Sequence, residues 1–255
     1  MPCANVTIES HGPVAVLRLQ REPANAIDVE FAQAIECAYS DAMHLDPRAL
    51  VVTGAGRFFS GGLDLEAVPA YSPEQQRALM LTANRMIAKL YACPVPTVAA
   101  VNGHAVAAGL ILALSADYRI GPSGDASFGL TEARVGIPFP AGAMVVLNAE
   151  LAAHHVRYIT LRASTFNADE ARSRGVFDEV QPADQVMKRA LEVACDMASM
   201  PADGYRRIKQ QLRAAAIVEL ERINREASDP MLTQWISPEA ADACAKLLEG
   251  GGDSK

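Results

Sequence analysis

Gly54-Ala55-Gly56-Arg57-Phe58-Phe59-Ser60-Gly61-Gly62-Leu63-Asp64 is a loop of small residues that follows an apolar run, Ala49 to Thr53. Val101-Asn102-Gly103-His104-Ala105-Val106-Ala107-Ala108-Gly109-Leu110 repeats the arrangement after a second apolar run, Thr97 to Val101. Short apolar runs bounded by turn residues read as buried strands. Glycine and alanine let backbone N–H groups come close to a ligand. Taken singly, each loop reads first as a tight turn with close packing. Side by side, the two aim two N–H donors at one oxygen, which is how an oxyanion hole is built. Glu132, in Phe128-Gly129-Leu130-Thr131-Glu132, then supplies a candidate base.

Outward from these loops, strands and helices alternate. Val6 to Glu9 and Val14 to Gln20 read as strands around the turn His11-Gly12-Pro13. Val29 to His44 has helical apolar spacing with Asp28 as its N-cap, and Ser72 caps a helix from Pro73 to Ala92. Ala107 to Ser115 reads as an apolar helix, Asp117 to Gly121 as a strand, and Ser127-Phe128-Gly129 follows it. Ala141 to Leu151, Ala153 to Leu161 and Ala168 to Arg174 look helical, and Val176 to Val180 is a short strand. From Pro182 onward the pattern is helical only: Asp184 to Ala198, Gly204 to Ser228 and Pro238 to Leu248. This divides the chain into a core of residues 1–181, a helical region 182–249 and a disordered tail 250–255. The alternation predicts an α/β fold with parallel β-β-α units.

Composition narrows the function classes. The 255 residues are half apolar and only 5% aromatic, so the core is aliphatic, and the length suffices to bury it without staples. A net charge of −7 argues against a broad nucleic-acid surface. Cys3, Cys37, Cys93, Cys195 and Cys244 are scattered without C-x-x-C spacing, so free thiols are expected and no metal site. No signal peptide and no run of transmembrane length is visible, which predicts a cytoplasmic protein with no membrane partner. Gly54-Ala55-Gly56 fails as a dinucleotide fingerprint because Phe59 stands where the third glycine belongs. His154-His155 point about 100° apart on a helix and have no third ligand at metal spacing. His104 reads as a structural histidine or a substrate contact, and Ser60 lacks a nucleophile elbow.

Together Pro23-Ala24-Asn25-Ala26-Ile27-Asp28, Ser60-Gly61-Gly62-Leu63-Asp64, Val101-Asn102-Gly103, Ala116-Asp117-Tyr118-Arg119-Ile120 and Gly175-Val176-Phe177-Asp178-Glu179-Val180 resemble the crotonase superfamily, the enoyl-CoA hydratase/isomerase family. The resemblance covers nearly the whole chain. It implies a ββα spiral with two stacked sheets and C-terminal helices that make a homotrimer or a dimer of trimers. It implies an acyl-CoA thioester as substrate and no separate cofactor, coenzyme A being part of the substrate. It places the two oxyanion donors at the Leu63 and Ala108 backbones and the acid–base at Glu132. Ala24, Asn25 and Ala26 match the segment whose backbone meets CoA. Gly61, Gly62, Asp64, Gly109, Ile111 and Phe139 complete the candidate binding residues.

One departure directs the choice of reaction. Enoyl-CoA hydratases carry two glutamates, and the position matching the second is Ile111 here. Hydration activates water and delivers a proton to the α-carbon, and one carboxylate does not easily fill both tasks. One carboxylate does move a proton from C2 to C4 of a 3-enoyl-CoA. The pattern resembles the Δ3-Δ2-enoyl-CoA isomerases. Ile111, Leu112, Ile137, Pro138, Phe139 and Pro140 are candidates for a dry wall that raises the Glu132 pKa, while Ile137 and Leu112 taken singly read better as ordinary core. Glu66 stands where many relatives carry a lysine facing the CoA phosphates; Arg21, Arg57 and a basic residue from a neighbouring subunit's C-terminal region are the possible substitutes. The alternatives are a hydratase or lyase with a substitute for the missing acid, another crotonase reaction such as thioester hydrolysis or decarboxylation, and a non-catalytic acyl-CoA-binding protein.

Overall fold

The computed structural model describes residues 3–233 and 235–250. The chain opens with β1 (Val6–His11) and β2 (Val14–Leu19), an antiparallel hairpin. Then come α1 (Val29–His44), β3 (Ala49–Gly54), β4 (Phe58–Ser60) and α2 (Pro73–Tyr91). The same order recurs in β5 (Thr97–Ala100), β6 (His104–Val106) and α3 (Ala108–Leu114), and again in β7 (Tyr118–Pro122), β8 (Phe128–Gly129) and α4 (Glu132–Val135). Each turn lays one strand in each of two sheets. The large sheet runs β1-β2-β3-β5-β7 and is completed by β9 (Glu179–Gln181), parallel from β2 onward. The small sheet runs β4-β6-β8, also parallel. The expected two-sheet α/β spiral is therefore what the chain forms.

The central strands β2, β3 and β5 are largely apolar on both faces because both are covered. Val14, Val16, Val51, Val98 and Ile120 meet α8 (Val186–Ala198) through Val186, Ala190 and Ala194. Ala15, Leu17, Leu50, Val52 and Ala99 face the main core with α1, α2 and the small sheet. Helix starts follow their caps. Asp28 accepts a hydrogen bond from the Phe31 N–H, and Ser72 with Gln75 forms a capping box before Pro73. The remaining helices are α5 (Ala141–Glu150), α6 (Ala153–Arg162), α7 (Ala168–Ser173), α9 (Ala202–Glu226) and α10 (Pro238–Gly250).

Helix α9 docks through buried charge. Lys209 Nζ lies 2.8 Å from Asp117, and Arg213 reaches Asp117 at 3.2 Å and Glu150 at 3.1 Å. The Arg213 guanidinium also donates to the Tyr91, Ser115 and Ala116 carbonyls, so its charge is fully partnered. Among the late apolar residues, Val186 and Leu220 are buried inside the fold, whereas Ile208, Leu212 and Val218 are exposed.

Several boundaries differ from the sequence reading. The strand read at Val176–Val180 is displaced to Glu179–Gln181, because Val176 and Phe177 turn inward and Phe177 packs edge-on against Phe128 at 4.7 Å. Ala107 is excluded from α3 by its positive φ of 53°. The strands β4 and β6, read as loop, are too short for a periodic signal. Gly250, assigned to the tail, ends α10, and residues 251–255 lie outside the described residues.

Candidate active site

The two loops meet through glycine. Gly62 has φ +90°, and a Cβ there would stand 2.7 Å from the Ala107 Cβ and 3.2 Å from the Ala108 nitrogen. A Cβ on Gly109 would stand 2.2 Å from the Ser60 carbonyl oxygen. The backbones touch where any side chain would hold them apart.

That contact leaves two N–H groups free. Leu63 forms a parallel bridge with Ile27 in which Ile27 N–H donates to the Gly62 carbonyl and Asp64 N–H to the Ile27 carbonyl. In that pattern the Leu63 N–H points away from the bridge. Ala108 opens α3, where a helix leaves its first N–H groups without internal acceptors. Ala107 holds the strained φ 53°, ψ −127° that turns the chain into this start, its own N–H bonded to the Gly129 carbonyl at 2.8 Å. Neither the Leu63 nor the Ala108 nitrogen has an acceptor among the described residues.

Side chains around the first loop hold its shape. Asn25, buried with φ 49°, accepts from the Arg21 N–H and donates to the Phe58 and Phe59 carbonyls at 3.0 and 3.2 Å. Asn102 mirrors it, accepting from the Gly54 N–H and donating to the Gly56 carbonyl. Ser60 Oγ donates to the Asn25 carbonyl, and so performs packing work. Arg21 donates to Asp64 at 2.7 Å, Asp28 at 2.9 Å and the Ala26 carbonyl at 2.6 Å. Asp64 also accepts from the Glu66 and Ala67 N–H groups. Burial works against the Asp64 carboxylate, yet the Arg21 guanidinium and these N–H groups outweigh it and hold its pKa below the usual range. Arg21 is thus a clamp inside the loop, with its guanidinium engaged by Asp28 and Asp64; Glu66 and Arg57 are exposed. The buried Asn25 side chain turns inward to the Phe58 and Phe59 carbonyls. His104 accepts from the Ser127 N–H at 3.0 Å and packs on Phe58, a structural role; burial, with Arg57 nearby, pushes its pKa down.

Glu132 lies between two apolar cavities. One is lined by Leu63, Ala108, Ile111, Glu132, Phe139 and Trp235 with other apolar residues. The second shares Leu63, Glu132 and Ile137 with the first and adds Gly61, Ala107 and Leu247. No other ionisable side chain lines either cavity among the described residues. Glu132 is 7% exposed, and its Oε2 is buried without a hydrogen-bond partner. Burial pushes its pKa up to about 7, partly opposed by the Glu132 and Thr131 backbone N–H groups. Of the predicted dry wall, Ile111, Ile137, Pro138, Phe139 and Pro140 line the first cavity; Leu112 belongs to the core instead.

The sequence reading missed the far wall. Met86 and Ile87 of α2 line the first cavity, and Trp235 lies across it with its indole N–H donating to the Pro138 carbonyl at 2.7 Å. Leu247 of α10 closes the second. These residues are remote in sequence from both loops. A lone tryptophan in a chain so poor in aromatics was the only available signal.

Residues 9–246 match the family model described as enoyl-CoA hydratase/isomerase. The Mycobacterium tuberculosis protein named probable enoyl-CoA hydratase EchA14 is 36% identical over 196 residues, covering 75% of this chain and 74% of that one. Carnitinyl-CoA dehydratase of Salmonella typhimurium is 31% identical, covering 89% and 87%. Among solved structures, human mitochondrial delta3-delta2-enoyl-CoA isomerase superposes with a TM-score of 0.91 at 25% identity, covering 98% of this chain and 99% of that one. A two-sheet spiral that carries two backbone donors beside a buried carboxylate, matched over nearly its whole length, leads to one assignment: the chain belongs to the enoyl-CoA hydratase/isomerase family.

Proposed function

We propose that the protein moves a double bond from C3 to C2 of an enoyl-CoA. Glu132 takes a proton from C2, the electrons spread as a dienolate, and Glu132 returns the proton at C4. The Leu63 and Ala108 N–H groups hold the thioester oxygen as charge gathers there, each such donor being worth about 3–4 kcal/mol of barrier. The observation that carries this reading is the solitude of Glu132 in both cavities. Ile111, where hydratases place their second acid, is 2% exposed and lines the first cavity beside it. A pKa near 7 suits a group that must both take and return a proton.

Coenzyme A enters as part of the substrate, with no further cofactor. Its pantetheine is proposed to lie along the Ala24–Ala26 backbone and over Gly61, Gly62 and Gly109, and the acyl chain against Ile111 and Phe139. With Arg21 committed to Asp28 and Asp64, the exposed Arg57 is the remaining local candidate for the phosphates. Exposed Ile208, Leu212 and Val218 on α9 support association into a trimer or a dimer of trimers.

The hydratase and dehydratase names among the relatives favour a second reading, hydration through a positioned water. Supplying 3-hexenoyl-CoA and 2-hexenoyl-CoA separately distinguishes the two. The proposal expects 2-hexenoyl-CoA from the first and little 3-hydroxyhexanoyl-CoA from the second. Fast hydration without isomerisation would overturn it.

A further inference from the structure

Cys3 and Cys37 lie away from the active site. Cys3 precedes β1 and is half-buried; Cys37 is exposed on α1. Their sulfurs are 2.7 Å apart. That is closer than the roughly 3.5–4.0 Å at which unbonded carbon atoms rest against one another. Asp41, four residues on along the same helix face, brings Oδ2 to 3.4 Å from the Cys3 sulfur and 3.9 Å from that of Cys37.

Two thiols and a carboxylate are also a zinc donor set. Zinc–sulfur bonds of 2.3 Å at a tetrahedral angle hold two sulfurs about 3.8 Å apart. The observed separation is shorter than that and nearer to a covalent S–S bond of about 2.05 Å. We propose that Cys3 and Cys37 are a reversible disulfide site, oxidised by exchange with a low-molecular-weight disulfide such as oxidised glutathione.

The environment sets the order of events. Burial, with Cys37 and Asp41 beside it, pushes the Cys3 pKa up to about 12, so Cys3 is a poor first nucleophile. The exposed Cys37 thiolate attacks the small disulfide, forms a mixed disulfide and releases one thiolate, which takes a proton from solvent. Cys3 then passes its proton through Asp41 to solvent and attacks the Cys37 sulfur. The bond from Cys37 to the small thiol breaks, and the second small thiolate leaves and is protonated. Two protein thiols lose two electrons, and the oxidant gains them as two thiols. The new bond would close a loop that contains β1, β2 and the Arg21-to-Asp28 stretch that clamps the oxyanion loop.

The test incubates the folded protein with oxidised glutathione and reads intact mass, a peptide map and Tm. The expected result is loss of two hydrogens, a linked Cys3–Cys37 peptide and a Tm raised by several degrees, all reversed by dithiothreitol. Cys3→Ser should stop at a stable glutathione adduct on Cys37, and Cys37→Ser should show neither product. A stable adduct on the wild-type protein with Cys3 left free, or thiols that stay unmodified, would overturn the proposal. So would zinc that binds stoichiometrically and protects both thiols, which would mark the cluster as a metal site.

Discussion

Burial of Glu132 makes the stability of the fold depend on pH. Its carboxyl is pushed up to about 7 by burial, from 4.5 for a free glutamate. The folded protein therefore binds the proton more tightly than the unfolded chain does. Stability contributed by the neutral form is complete below the unfolded pKa and declines as pH rises from about 4.5 to 7. The loss is on the order of 3 kcal/mol above that window. Replacing Glu132 by Gln, which never ionises, should raise Tm relative to wild type at pH 8 and barely change it at pH 4.5. Isomerisation by the wild type should rise through pH 7, because the base acts ionised. Thermal melts and a pH–rate profile check both; a flat profile across that range would show that another group accepts the proton. Gly62, Gly109 and Glu132 were legible in the sequence because each stands in a motif whose chemistry is local. The clamp role of Arg21 was not legible, because the spacing of Asp28 and Asp64 does not reveal that both carboxylates converge on one guanidinium.

At the scale of elements, what was readable is what has a period or a cap. The helices α1 and α2 announce themselves through Asp28 and Ser72, and β3 and β5 through apolar runs. The strands β4, β6 and β8 have no such signal, yet they build the small sheet on which the loops rest. Helix α4 is a single turn whose register is set by Gly136 at its left-handed cap and not by periodicity. The wall formed by α2 and the segment before α10 exists only in three dimensions. Trp235 is 2% exposed and fixed by its bond to the Pro138 carbonyl, so it gives the first cavity a hard end. Trp235→Ala should open that end and shift preference toward longer acyl chains, raising kcat/KM for decenoyl-CoA relative to hexenoyl-CoA by roughly tenfold. The same change should cost about 3–5 kcal/mol of stability. An unchanged chain-length ratio in a folded variant would place the acyl tail elsewhere.

For the whole molecule, the candidate site and the exposed apolar face of α9 lie in different places. Leu63, Ala108 and Glu132 share their cavities with the late residues Trp235 and Leu247. The exposed Ile208, Leu212 and Val218 lie on α9, outside the walls of those two cavities. Sedimentation at micromolar concentration should find a trimer or hexamer, and a stable monomer would remove the proposed role of that face. The C-terminal helical region was legible as amphipathic helices. Which apolar residues it keeps for itself was not, because Val186 and Leu220 differ from Ile208 only in what the sheet and α2 present to them.

The most direct test of single-carboxylate proton transfer is turnover of 3-hexenoyl-CoA by Glu132→Gln, read beside its binding of saturated hexanoyl-CoA. The amide keeps the shape of the site and cannot carry the proton. Turnover should fall by about 10²–10⁴-fold while hexanoyl-CoA affinity stays within a few-fold of wild type. A variant that binds normally and retains more than about a tenth of wild-type turnover would contradict the mechanism.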